Sequence, residues 1–148
     1  MATTTKPDLS ISTTEHPNVG AMREAFAAFS RGDLDAVRAS LAPDCVWTNA
    51  GSSAIAGTFR GWEQISAMFG KLFELTGGTF AMQIRSILAD DSHAVALYDS
   101  TSTVGGQTAT QRFVLVDEVD SFGKVTAAQA LAYDQAASDQ HLMGATKS

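Results

Sequence analysis

The sequence predicts a single α+β domain in which helices cover one face of a curved antiparallel sheet. Its 148 residues, 45% of them apolar, are enough to form one hydrophobic core without disulfides or a metal. Apolar side chains recur every three or four residues in the first half of the chain and every second residue in the second half. Because helical and strand patterns do not alternate, this order indicates an α+β fold rather than a parallel α/β fold.

Three helices are predicted in the first half of the chain. The first begins after Pro17 and ends at 31–32, where an Arg-Gly pair stops the pattern. Asp33 is the expected N-cap of a short second helix that ends before Pro43. A third helix covers about 62–75. The apolar face of the first helix consists of Val19, Met22, Phe26 and Phe29.

The remaining predicted elements are strands. A β-branched and aromatic run at 45–49 predicts the first strand, and the Asn-Ala-Gly sequence at 49–51 predicts the turn that ends it. Alternation with period two then predicts four more strands joined by hairpin turns. These strands cover about 79–89, 93–104, 108–120 and 124–134.

The predicted domain covers 16–142. Residues 1–15 are rich in Thr and Ser and have little apolar surface to bury, so we expect a flexible N-terminal tail. Residues 143–148 are expected to form a short C-terminal tail. Cys45, the single cysteine, lies in an apolar run and is expected to be a buried, unreactive thiol.

Charge and motif content exclude several classes of function. The net charge is −6 and no cluster of Lys and Arg occurs, so nucleic acid is not an expected partner. No apolar run approaches the roughly 18 residues of a membrane span, and no signal peptide is apparent, so we expect a cytoplasmic protein without a membrane partner. Phosphate-binding loops and metal motifs are absent, so neither a cofactor nor a metal is expected.

Six segments in order along the chain resemble the SnoaL-like polyketide cyclase family of the nuclear-transport-factor-2-like, ketosteroid-isomerase-like superfamily. They lie at 25–36, 41–47, 57–65, 91–97, 123–126 and 133–135. The resemblance extends from His16 to about Leu142. It implies a cone-shaped α+β barrel in which a strongly bent antiparallel sheet wraps around the long helix and leaves a conical cavity.

Several side chains are candidates for lining this cavity. Trp47 and Asn49 lie on one face of the first strand, where an aromatic wall would adjoin an amide that can bind an oxygen atom. The alternative is that Trp47 belongs to the core and Asn49 turns the chain. Either Tyr98 or Asp99 faces the cavity, because a bulge would exchange the two faces of their strand. The predicted substrate-binding side chains are Trp47, Phe59, Trp62, Phe69, Phe73, Asp99, Gln111, Phe113 and Leu115.

Asp134 is the candidate acid/base, because it ends an apolar strand where a charge would be costly without a purpose. In the family that the chain resembles, an acid at this position commonly acts as the general acid/base. The alternative is that Asp134 caps the turn into the C-terminal segment. His141, in that segment, is expected at the surface unless the segment folds back over the mouth of the cavity.

Three functions fit these features. The first is a cofactor-independent cyclase, isomerase or lyase for an apolar carbonyl or polyketide-like substrate, with Asp134 moving a proton while Asn49 and Tyr98 or Gln111 hold the substrate oxygen. The second is a protein that binds an apolar metabolite without turnover. The third is a dimerisation module.

The outer face of the predicted sheet favours self-association. Val114 and Val116 lie on this face of one strand and add apolar surface to it. We therefore expect a homodimer with two-fold symmetry.

Overall fold

The computed structural model describes residues 15–143, so most of both predicted tails lies outside the described residues. Four helices are present: α1 (Pro17–Ser30), α2 (Leu34–Ala39), α3 (Gly61–Leu75) and α4 (Gln135–Leu142). The six strands are β1 (Leu41–Asn49), β2 (Gly57–Arg60), β3 (Ala81–Ala89), β4 (His93–Val104), β5 (Gln107–Val119) and β6 (Val125–Ala132). None of the described helices is long and apolar enough to cross a membrane.

The strands form one sheet in the order β2-β1-β6-β5-β4-β3. The α+β fold predicted from the sequence is confirmed, with one correction to the expected antiparallel pairing. Strands β1 and β6 are parallel, whereas the other four neighbouring pairs are antiparallel. Parallel neighbours need a long crossover connection, and all the elements between β1 and β6 supply it here.

Side-chain caps determine where the first two helices begin. The Asn18 amide donates to Nδ1 of His16, and Pro17 occupies the first turn of α1. The Ala36 amide donates to the Asp33 carboxylate over 3.1 Å, which confirms Asp33 as the N-cap of α2.

Three elements differ from the sequence expectations. Strand β1 begins at Leu41 and continues through Pro43, rather than beginning at Cys45. Strand β2 has only four residues and pairs with β1 alone, so alternation could not reveal it. Helix α4 buries only Ser138 and Leu142, and therefore has no apolar stripe from which to predict it.

The core lies between the helices and the inner face of the sheet. Every second residue of β4, beginning with Ala94, is buried, and Ala94, Ala96 and Tyr98 pack with α1 and the neighbouring strands. A second group of apolar side chains fills the space between α2, α3 and β1. It includes Cys45, which is 1% exposed, and burial is the main cause that raises the pKa of this thiol to about 11.

Candidate functional site

A mainly apolar cavity of about 150 Å³ lies between α1 and the inner face of the sheet. A cavity of this volume holds a single aromatic ring. Its aromatic lining consists of Phe26, Phe29, Trp47, Phe69, Tyr98 and Phe113. No Lys or Arg is among the described lining residues, so the cavity favours an uncharged ligand.

Ring packing fixes the central aromatic side chains. The ring of Tyr98 meets Phe26 edge-on at 5.1 Å between centroids and stacks on Phe113 at 5.7 Å. Trp47 meets Phe69 edge-on at 5.2 Å. Such pairs stabilise a defined ring geometry beyond the burial of their area, so the cavity wall is preorganised.

Asp117 of β5 supplies a carboxyl group to the cavity, and it is 7% exposed. Its neighbours across the sheet are Ala94 and Ala128, which offer no polar side-chain atoms. Its Oδ1 atom is buried and has no hydrogen-bond partner among the described residues. Burial raises the pKa of Asp117 to about 7, so protonated and ionised forms coexist near neutral pH.

The sequence left open whether Tyr98 or Asp99 of β4 faces the cavity, and in the structure it is Tyr98. Tyr98 is 7% exposed and lines the cavity, where burial and the charge of Asp117 both raise the pKa of its phenol. The phenol therefore keeps its proton and can donate a hydrogen bond.

Asp99 lies on the opposite face of β4, outside the cavity. Its carboxylate accepts hydrogen bonds from Nε of Arg112 at 3.0 Å and from Nε and Nη2 of Arg85 at 2.9 and 2.7 Å. These bonds, that from Arg112 foremost, lower the pKa of Asp99. Its predicted place among the substrate-binding residues is therefore corrected to an ion-paired position on the outer face, where a β3 irregularity between Ile84 and Ser86 places Arg85 beside it.

Asn49 lines the cavity but its amide is already engaged. Its Oδ1 accepts from Nε1 of Trp47 at 2.8 Å, and its Nδ2 donates to the carbonyl oxygen of Ile55 at 2.7 Å. The amide thus ties Trp47 to the loop between β1 and β2. This geometry favours a positioning role over the predicted binding of a substrate oxygen.

Asp134 does not line the cavity. It is exposed at the N-terminus of α4, where its carboxylate accepts from the Ala137 amide at 3.0 Å. The structure therefore corrects the expected acid/base position, because an exposed carboxylate that caps a helix contacts solvent rather than an apolar ligand. The capping alternative is the one that this geometry supports.

The amino-acid sequence of this chain matches a known family of domains. The profile of the SnoaL-like domain matches residues 22–128. The chain belongs to the SnoaL-like family. An uncharacterised protein of Mycobacterium tuberculosis is 29% identical over 127 residues, which cover 85% of this chain and 96% of that protein.

Two solved structures resemble this SnoaL-like chain closely in fold. Bal32a, from a soil-derived mobile gene cassette, has a TM-score of 0.80 and 30% identity, covering 84% of this chain and 95% of that one. An NTF2-like protein of unknown function from Burkholderia pseudomallei has a TM-score of 0.72 and 26% identity, covering 84% and 96%. These similarities establish the family and the fold.

Of the eight other predicted substrate-binding residues of this SnoaL-like chain, five line the cavity and three do not. Gln111, Phe113 and Leu115 of β5 line the cavity with Trp47 and Phe69. The predicted residues that do not line it are Phe59, Trp62 and Phe73. These three pack in the second core: Phe59 lies on β2, and Trp62 and Phe73 belong to the apolar side of α3 that meets the sheet and α1.

Asp117 is not among the residues expected to line the cavity, although the sequence carries a signal for it. Period-two alternation places residues 113, 115 and 117 of one strand on the same face. Phe113 and Leu115 are expected to face the cavity, and extending that face by two residues reaches Asp117. Within residues 15–143, no three His, Cys, Asp or Glu side chains are grouped to hold a metal ion.

Proposed function

We propose that this SnoaL-like chain is a cofactor-independent enzyme of the cyclase, isomerase or lyase type, in which Asp117 moves a proton on a small, uncharged carbonyl compound. The observation that supports this proposal is the buried carboxyl group with an unpartnered Oδ1 in an apolar cavity. A pKa of about 7 suits it to both accept and donate a proton near neutral pH.

The proposed reaction uses two side chains. The Asp117 carboxylate removes a proton from the carbon next to the substrate carbonyl, and the electron pair moves onto the carbonyl oxygen as an enolate. The Tyr98 phenol donates a hydrogen bond to that oxygen as its charge develops. Protonated Asp117 then returns the proton to the same or another carbon, or to a leaving group. General acid/base catalysis of this kind contributes about 10²–10⁴-fold.

The character of the cavity supports an uncharged substrate of about one ring. An anionic substrate would find no Lys or Arg in the described lining and would raise the pKa of Asp117 further. The volume of about 150 Å³ fits a single ring with short substituents better than a polycyclic polyketide.

Deuterium exchange tests the proposal without knowledge of the natural substrate. Single-ring ketones, including cyclohexanone and 3-cyclohexen-1-one, are incubated with the protein in D₂O, and exchange next to the carbonyl is followed by proton NMR. We expect exchange above the buffer rate, rising with pH until about 7 as Asp117 ionises. Asp117→Asn should reduce the catalysed rate by about 10²–10⁴-fold.

Asp134→Asn is the matched control, because it makes the same chemical change at an exposed carboxylate that caps α4. It should leave the exchange rate unchanged. Full exchange by Asp117→Asn would refute the acid/base role. Saturable binding of these ketones without exchange would instead support a protein that binds an apolar metabolite.

A further inference from the structure

The end of the cavity next to α4 carries hydrogen-bond donors rather than an acid. Ser100 and Ser102 of β4 line it and are each 5% exposed. Gln111 of β5 lines the cavity too and is the cross-strand partner of Ser100. Asp117 lies six residues further along β5, so the donors and the acid are distinct groups in the lining of one cavity.

His141 of α4 determines what Ser102 can offer a ligand. Nε2 of His141 lies 3.1 Å from Oγ of Ser102 and 3.1 Å from the carbonyl oxygen of the same residue. A carbonyl oxygen only accepts, so the contact with it favours the tautomer in which Nε2 carries a proton and donates a hydrogen bond to Ser102. In that tautomer the imidazole does not accept from the Ser102 hydroxyl, and that O–H remains available to the cavity.

No acceptor side chain in the described structure uses these donors. Ser100 and Gln111 form no side-chain hydrogen bond within residues 15–143. The nearest acid of α4, Asp139, is turned away from the cavity, because it accepts from the amide and hydroxyl of Ser52 and from Gln135. Among the described residues, Asp117 Oδ1 is the one enclosed side-chain polar atom without a partner, so these donors are accessible from the cavity, where a ligand oxygen can accept from them.

We propose that Ser100, Ser102 and Gln111 form a donor subsite that binds an uncharged oxygen acceptor, such as a carbonyl, on the ligand. This inference rests on the proposed function in taking the same cavity as the substrate site. Gln111 is two residues from Phe113 on β5, a rise of about 7 Å, so a ring packed against Phe113 can reach the subsite with one substituent. The absence of Lys and Arg from the described lining favours a carbonyl over a carboxylate.

Two probes of nearly equal shape test the subsite. Acetophenone carries a carbonyl where ethylbenzene carries a methylene, and both fit a cavity for one ring. Their dissociation constants are measured by titration calorimetry. We expect the protein to bind acetophenone about 3- to 10-fold more tightly than ethylbenzene. The substitutions Ser102→Ala and Gln111→Leu should remove most of that preference and should leave the affinity for ethylbenzene unchanged. Gln129→Leu is the matched control, since Gln129 is exposed on β6.

Any other outcome would refute the proposed donor subsite. Equal affinity for both probes in the unmodified protein would do so, and so would a preference that survives both donor substitutions. A preference lost only in Asp117→Asn would place the carbonyl at the acid instead. Because the readout is equilibrium binding, selectivity without deuterium exchange would refute the proposed function alone. Exchange without selectivity would refute the subsite alone.

Discussion

Asp117 should make the stability of the fold decrease as pH rises. Its pKa in the folded protein is about 7, compared with an ordinary value of 3.8, because the carboxyl group is buried. Between these two values the folded state holds a proton that the unfolded state has released. The free energy of unfolding therefore falls as pH rises from about 4 to about 7, and this contribution stays constant above pH 7.

The expected magnitude follows from the pKa difference. The change from 3.8 to about 7 is roughly three pKa units, and each unit corresponds to about 1.4 kcal/mol. Ionised Asp117 thus lowers the free energy of unfolding by about 4 kcal/mol at pH 8, relative to its contribution below pH 4. Asp117→Asn keeps the size of the side chain and removes the titration.

Urea denaturation from pH 4 to pH 8, followed by tryptophan fluorescence, measures this effect. The stability of Asp117→Asn minus that of the unmodified protein should increase by about 4 kcal/mol across the range, because other titrating groups cancel in the difference. Asp134→Asn should show no such increase, since Asn also caps helices well. Equal pH dependence in Asp117→Asn and the unmodified protein would show that Asp117 titrates normally and would refute the reasoning.

Three further predictions concern other parts of the molecule. The Cys45 thiol should not react with Ellman's reagent at pH 8 until urea unfolds the protein, because it is buried and its pKa is raised to about 11. Gly51→Ala should lower the melting temperature in calorimetry, because residue 51 has a φ of +96° and a Cβ there would collide with the Asp139 carboxylate; an unchanged melting temperature would contradict this contact. Sedimentation at micromolar concentration should give a dimer through the outer sheet face that carries Val114 and Val116, and a monomer would count against it.

The sequence predicted most of the fold because the burial pattern follows from local alternation. The bounds of β3, β4 and β5 differ by at most two residues from the expected ones, since each strand has a clear period of two. Helix α4 is not predictable from the sequence because its residues lack an apolar stripe, and a cap at Asp134 does not by itself distinguish a helix from a turn. The parallel pairing of β1 with β6 depends on contacts between distant parts of the chain, and no local pattern encodes it.

The candidate site was predictable where it depends on strand faces. Trp47, Phe113 and Leu115 line the cavity as period two predicts. The choice between Tyr98 and Asp99 needed the register of neighbouring strands, and the arginines that hold Asp99 lie 13 and 14 residues away in sequence. Packing also decided which aromatic side chains line the cavity, because a helical stripe does not distinguish a core contact from a ligand contact.

The stability and the proposed chemistry of this protein depend on the same property of Asp117. A polar partner beside the carboxylate would stabilise its ionised form and lower its pKa, but the flanking positions on β4 and β6 are Ala94 and Ala128. Burial raises the proton affinity of Asp117, which suits it to act as a base near pH 7. By linkage, the same change lowers the free energy of unfolding by an equal amount once Asp117 has ionised. An acid at an unpaired interior position destabilises the fold at neutral pH, and the proposed proton transfer would give that position a function.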